Sequence, residues 1–115
     1  MKNDESHAKK KLMLLIERTS PVFGEDYIKV IEFHVKNRFH ENIWNLLIEK
    51  PRRTLDLLAE LFGNEENAVV ILREIFISVK NNVKGFDLSV DTVVDAIKED
   101  NKKKLVTLIN AIYIE

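Results

Sequence analysis

Apolar residues recur at helical rather than alternating spacing along almost the whole chain. Ala8, Leu12, Leu15 and Ile16 form one stripe and predict a first helix over about residues 7–19, with Ser6 able to cap it. Residues 1–6 are polar and read as a frayed start. Pro21 pushes Ser20 out of the α region and ends that segment. Gly24 with Glu25 and Asp26 opens a second helix, with two acids at the positive end of its dipole. Tyr27, Ile28, Val30, Ile31, Phe33 and Val35 then occupy most of its circumference, which predicts a central helix ending near 37–40.

A short third helix follows over about 41–49, rich in Ile43, Trp44, Leu46, Leu47 and Ile48. Pro51 sits at a break or a helix start. Thr54 is placed to cap a fourth helix, 55–62, with Gly63 in the left-handed position behind it. Asn64 can cap a fifth helix over about 65–83, whose stripe of Ala68, Leu72, Ile75, Val79 and Val83 has the strongest helical period in the chain. Gly85 stops it, and Asp87 or Ser89 begins the last part. There Val90, Val93, Val94 and Ile97 share one phase with Leu105, Leu108, Ile109 and Ile112. They fit one helix of about 25 residues or two with a break near 100–101. A short terminal strand over 112–114 is the minor alternative.

The expected fold is therefore all-α: a compact single-domain bundle of five to seven helices, orthogonally or irregularly packed, over residues 1–115. Leu58, Phe62, Leu72, Ile75, Phe76, Ile31 and Trp44 are the expected core. Composition changes little in that picture. At 115 residues and 45% apolar, the chain can bury a core and is not expected to be disordered. No apolar run approaches 18 residues and no signal-peptide pattern stands at its start, so a cytoplasmic protein without membrane contact is expected. The absence of cysteine excludes disulfides, thiolate catalysis and Cys-based metal centres. Abundant Lys and Glu with no glutamine match proteins from hot environments, whereas ten asparagines pull the other way.

Candidate chemistry is sparse. His34 and His40 are six residues apart and so fall on different helix faces, and Glu41 beside them does not complete a metal site. No nucleophile elbow, P-loop or dinucleotide fingerprint occurs. No enzymatic activity, cofactor, metal or small-molecule substrate is expected. Charge is more informative in its order than in its sum. The net charge is −1, but residues 36–53 carry five Lys/Arg against two Glu, a net +3. Residues 54–67 carry four acids and no base, 87–100 five acids and one Lys, and Lys102–Lys104 add +3. Lys36, Arg38, Lys50, Arg52 and Arg53, interleaved with Phe39 and Trp44, form a candidate patch for an anion or nucleic acid. Leu105, Leu108, Ile109 and Ile112, together with Ile114, are the candidate self-association surface.

Two resemblances arise from these residues. Ala59, Gly63 and Val69 have the spacing of a small residue, a turn glycine and a packing aliphatic in a helix-turn-helix corner. The stretch 43–75 resembles the core of winged helix-turn-helix regulators. That resemblance implies 55–62 as positioning helix, 65–82 as reading helix and 81–86 as wing, with DNA as the partner. Glu65 and Glu66 at the start of the reading helix oppose it, because they would face phosphates. The second resemblance spans about 22–84. It rests on Phe23-Gly24-Glu25-Asp26, Pro51, Leu55, Leu58 and Leu61-Phe62-Gly63 ahead of a long apolar helix. This pattern is similar to small archaeal helical domains known as uncharacterised proteins or as outputs of signalling modules. It implies a non-enzymatic regulatory or protein-interaction role, with a protein partner or a homo-oligomer. That role is the leading expectation, and a helix-turn-helix DNA-binding regulator is the alternative.

Overall fold

Helical periodicity is realised nearly everywhere. The computed structural model describes residues 2–19 and 25–113. Seven helices run through them: α1 (Lys2–Thr19), α2 (Glu25–Phe39), α3 (Ile43–Glu49), α4 (Pro51–Phe62), α5 (Glu65–Asn82), α6 (Val90–Lys98) and α7 (Lys102–Asn110). The Cα radius of gyration is 12.9 Å, close to the roughly 13 Å of one compact domain of this length. The fold is an all-α bundle. The expected junction at Ser20, Pro21 and Gly24, including Phe23, lies outside the described residues, as does Ile114.

Boundaries follow local chemistry. Asn42, Asn64 and Asn101 each cap a helix by accepting a hydrogen bond from the amide three residues on, at 2.8, 2.8 and 3.1 Å. Asn64 is the cap expected for α5. Gly63 adopts φ 106° and its amide closes onto the Ala59 carbonyl, so a short link turns α4 into α5. The last segment is two helices. Asp100 at φ 55° breaks the chain, and Asn101 caps α7.

Some boundaries differ from expectation. α1 begins at Lys2, which leaves Ser6 inside it and the start helical rather than frayed. α4 begins at Pro51, whose missing amide is harmless in the first turn. Thr54 is therefore interior, not a cap. It is fully buried, and its hydroxyl donates to the Lys50 carbonyl at 3.0 Å. Among the described residues the tail makes one antiparallel bridge, between Gly85 and Tyr113, and no longer strand, and no two-stranded wing occurs over 81–86.

One core joins all seven helices. Leu58, Leu72, Ile75, Phe76, Ile31 and Trp44 lie in it as expected, while Phe62 is only half-buried at its edge. α1 packs on α7, α3 and α5; α4 packs on α5, α3 and α6. α2 is the exception: its principal neighbour is α3. Ile28, Ile31 and Val35 turn inward, but Val30 and Phe33 face out. The expectation of a central α2 is thus corrected, because one side of this nearly all-apolar helix has no helix over it.

The C-terminal self-association surface is also corrected. Leu105, Ile109 and Ile112 are buried against this chain's own core and Leu108 is half-buried. Packing of α7 on α1 consumes that stripe. Lys11 reinforces the contact by donating to the carbonyls of Asn110 and Ile112 at 2.8 and 2.6 Å, where a cation suits the negative end of α7.

α1 is further tied to α3 by the ion pair of Lys9 with Glu49. The hydrogen bond from Lys9 holds the Glu49 carboxyl below its ordinary 4.5, although burial opposes this. For Lys9, burial pulls the ammonium down, but the hydrogen bond and charge of Glu49, with Glu5 and Glu41, outweigh it and leave it above 10.5. The folded carboxylate thus holds its proton less tightly than the unfolded one. Its contribution is complete above pH 4.5 and is lost as pH falls through the lower folded value. Urea melts should show wild type more stable than Glu49→Gln at neutral pH. The gap should close as pH drops below 4.5; a gap unchanged into acid would contradict the pairing.

Candidate functional site

The sequence directs attention to the basic block 36–53 and to the α4–α5 corner beside it. The fold brings these together but neutralises much of the charge. Arg52 stands in the first turn of α4, where α5 begins and α6 ends. Its guanidinium pairs with Glu65 of α5, bonds Asp56 one turn along α4 at 3.2 Å, and donates to the Lys98 carbonyl at 3.3 Å. Its amide donates to Asp100 at 3.1 Å. The hydrogen bond to Glu65, helped by the charges of Glu65 and Asp56 against some burial, holds the guanidinium above its ordinary value. Arg52 is thus a clasp over the junction of three helices. It is 39% exposed, so Arg52→Ala should cost only about 1 kcal/mol in a urea melt. A loss of several kcal/mol would mean the junction depends on this side chain alone.

Arg38, near the end of α2, pairs with Glu60 of α4. Arg53 lies over the Phe39 ring at 5.6 Å, a cation–π contact that also ties α4 to α2. Lys36 and Lys50 are exposed. Of the five expected patch residues, three are therefore engaged with partners inside the chain.

The α4–α5 corner has helix-turn-helix connectivity, with Ala59 and Val69 half-buried against the core beside Gly63. Its outer surface is acidic and apolar. Glu66, Val70 and Glu74 are exposed along α5, with Val70 at 55%, and Arg73 pairs with Asp91 of α6. A shallow groove over the start of α5 is lined by Glu65, Glu66, Val69, Val70 and Lys98.

His34 meets the Phe33 ring edge-on with centroids 5.5 Å apart, and His40 is exposed in the turn after α2 at φ 55°. Among the described residues no three His, Asp or Glu side chains come together so as to hold a metal ion.

What the sequence reading missed is the outer face of α2. Phe33 is 63% exposed and Val30 48%, three residues apart and so adjacent on the helix surface. Lys29 stands one turn before Phe33 and Lys36 one turn after, with Asn37 continuing the same exposed stripe. An exposed aromatic with a neighbouring aliphatic and flanking cations has the character of a contact surface. A signal was present in the sequence: Lys29 and Lys36 at i−4 and i+3 of Phe33 mark a solvent-facing stripe.

Comparison with known proteins adds no relative: no family model, no curated protein and no solved structure matches the chain. No described helix is long and apolar enough to cross a membrane.

Proposed function

We propose that this chain is a non-enzymatic regulatory or protein-interaction domain whose contact surface is the outer face of α2. The observation that carries the reading is the pair Phe33 and Val30, exposed side by side between Lys29 and Lys36. Leu14, Val70 and Tyr113 are exposed as well, but among the described residues α2 alone carries two exposed large apolar side chains, one turn apart, and that stripe needs a reason. The likeness of 22–84 to archaeal output-type domains points the same way.

The test compares the chain with Val30→Ser plus Phe33→Ser as bait in extract of the source cells. Wild type should enrich at least one protein by about tenfold over the variant, with the two baits equally folded, because truncating interface anchors typically costs more than about 1.4 kcal/mol each. Identical sets of captured proteins would contradict the reading.

A second reading, a helix-turn-helix DNA-binding regulator, has the α4–Gly63–α5 corner in its favour. Against it stand Glu65 and Glu66 at the start of the reading helix and the engagement of Arg52 with Glu65. Duplex DNA should give no electrophoretic shift at low salt. A shift that weakens steeply with salt and is reduced by Arg52→Ala plus Arg53→Ala would favour the DNA reading instead.

A further inference from the structure

We propose that the α2 stripe docks on the Glu66/Val70/Glu74 stripe of α5 in a second copy of this chain, so that copies associate head to tail. The inference rests on the reading of α2 as a contact surface and names its occupant.

The two stripes are complements. Each has an exposed apolar side chain at its centre, Phe33 on α2 and Val70 on α5. Lys29 and Lys36 stand one turn to either side of Phe33, and Glu66 and Glu74 one turn to either side of Val70; Arg73, beside Glu74, is paired with Asp91, and Lys98 lies at the groove's edge. At helical rise the lysines are about 10.5 Å apart along the axis and the glutamates about 12 Å. Opposed helices can therefore bring both charge pairs and both apolar centres together. Ile77, half-buried one turn beyond Arg73, extends the apolar side of the α5 stripe, as Val30 does on α2.

The contact is heterologous. Ile28 and Ile31 of α2 line the same internal gap as Leu72 and Ile75 of α5. Phe33 lies about 160° around α2 from Ile31, and Val70 about 140° around α5 from Ile75, at 100° per residue. The two outer stripes therefore point away from each other. Such faces cannot pair reciprocally across one two-fold axis and instead join successive copies. Small apolar centres ringed by charge make a weak, salt-sensitive contact.

The experiment is sedimentation velocity up to ~0.5 mM chain, at about 50 mM and about 500 mM salt, spanning weak and strong screening. The weight-average mass of wild type should climb with concentration to at least about 1.5 times the monomer at low salt, and return to monomer at high salt. Lys29→Glu plus Lys36→Glu should stay monomeric, as should Glu66→Lys plus Glu74→Lys, because each then presents like charge to like. Mixed in equal amounts the two variants should associate again, since each supplies the face the other needs. Circular dichroism confirms each fold, and Phe33→Glu gives a second loss variant should a double variant unfold. A wild type monomeric throughout would overturn the proposal, as would single-face variants that associate like wild type or a mixture that stays monomeric. A monomer whose α2 still captures a different protein against the Val30/Phe33 variant would overturn only the second-copy occupant. Failure of both would remove the α2 reading as well.

Discussion

Phe76→Ala should lower the free energy of unfolding by about 3–5 kcal/mol, the usual cost of deleting a fully enclosed aromatic ring. Phe76 is 0% exposed and is the largest of the fully buried side chains. It sits on α5, which packs against α4, α6 and α1, so the void it leaves is walled by several helices and cannot close by moving one. Against a total stability of about 5–15 kcal/mol, that loss places the variant near the edge of folding. Urea denaturation checks it. A loss below about 1.5 kcal/mol, the range of volume-conserving swaps, would mean the side chain is not enclosed as described.

Gly85→Ala is the second large effect, and its cause is different. Gly85 has an ordinary φ, so conformational freedom is not the issue. A β-carbon there would overlap the Tyr113 carbonyl oxygen and lie 2.7 Å from its carbonyl carbon. The obstruction is backbone, which cannot rotate away as a side chain end could. The bridge from the Tyr113 amide to the Gly85 carbonyl, 3.3 Å, must open. The segment carrying Ile112, 1% exposed, must shift with it. The expected cost is about 1–3 kcal/mol, as for overpacking. Amide exchange should be faster at Tyr113 than in wild type, with α4 and α5 protected as before. Unchanged stability and exchange would show that the tail does not pass this close to Gly85.

The periodicity of the chain made most of the architecture legible. Gly63, Asn64 and the spacing of Ala59, Gly63 and Val69 mark the α4–α5 corner, because a left-handed residue and a cap leave few alternatives. The break at Asp100–Asn101 was legible only as an option, since Val90–Ile97 and Leu105–Ile112 share one phase and periodicity cannot register a turn that preserves it. Thr54 misled because Ser and Thr are caps or interior residues according to where the helix starts. Pro51 settled that start four residues earlier, at 51 rather than 55.

The candidate site was less legible, for physical reasons. A sum of charges over 36–53 counts cations but not their partners. Glu65 and Asp100 lie 13 and 48 residues from Arg52, and Glu60 lies 22 from Arg38. α2 failed in the opposite sense. Being apolar nearly all round told that a helix has more apolar surface than one neighbour can cover, not that neighbours cover it. Only the packing of α2 chiefly on α3 reveals Phe33 as uncovered. The stripe of α7 looked equally available in sequence, yet α1 lies over it.

If the α2 stripe is a contact surface, Phe33 faces a protein partner. A photo-reactive phenylalanine analogue at position 33 tests it most directly, with the same analogue at exposed Glu99 as the control site, irradiated in the source cells. A discrete protein adduct is expected from position 33, either with a second copy or with another protein. That adduct should fall at least about tenfold when Lys36→Glu is added, as for an interface that depends on charge complementarity. No adduct should come from position 99. The absence of any adduct from position 33, or the same adducts from both positions, would show that the outer face of α2 is not a contact surface.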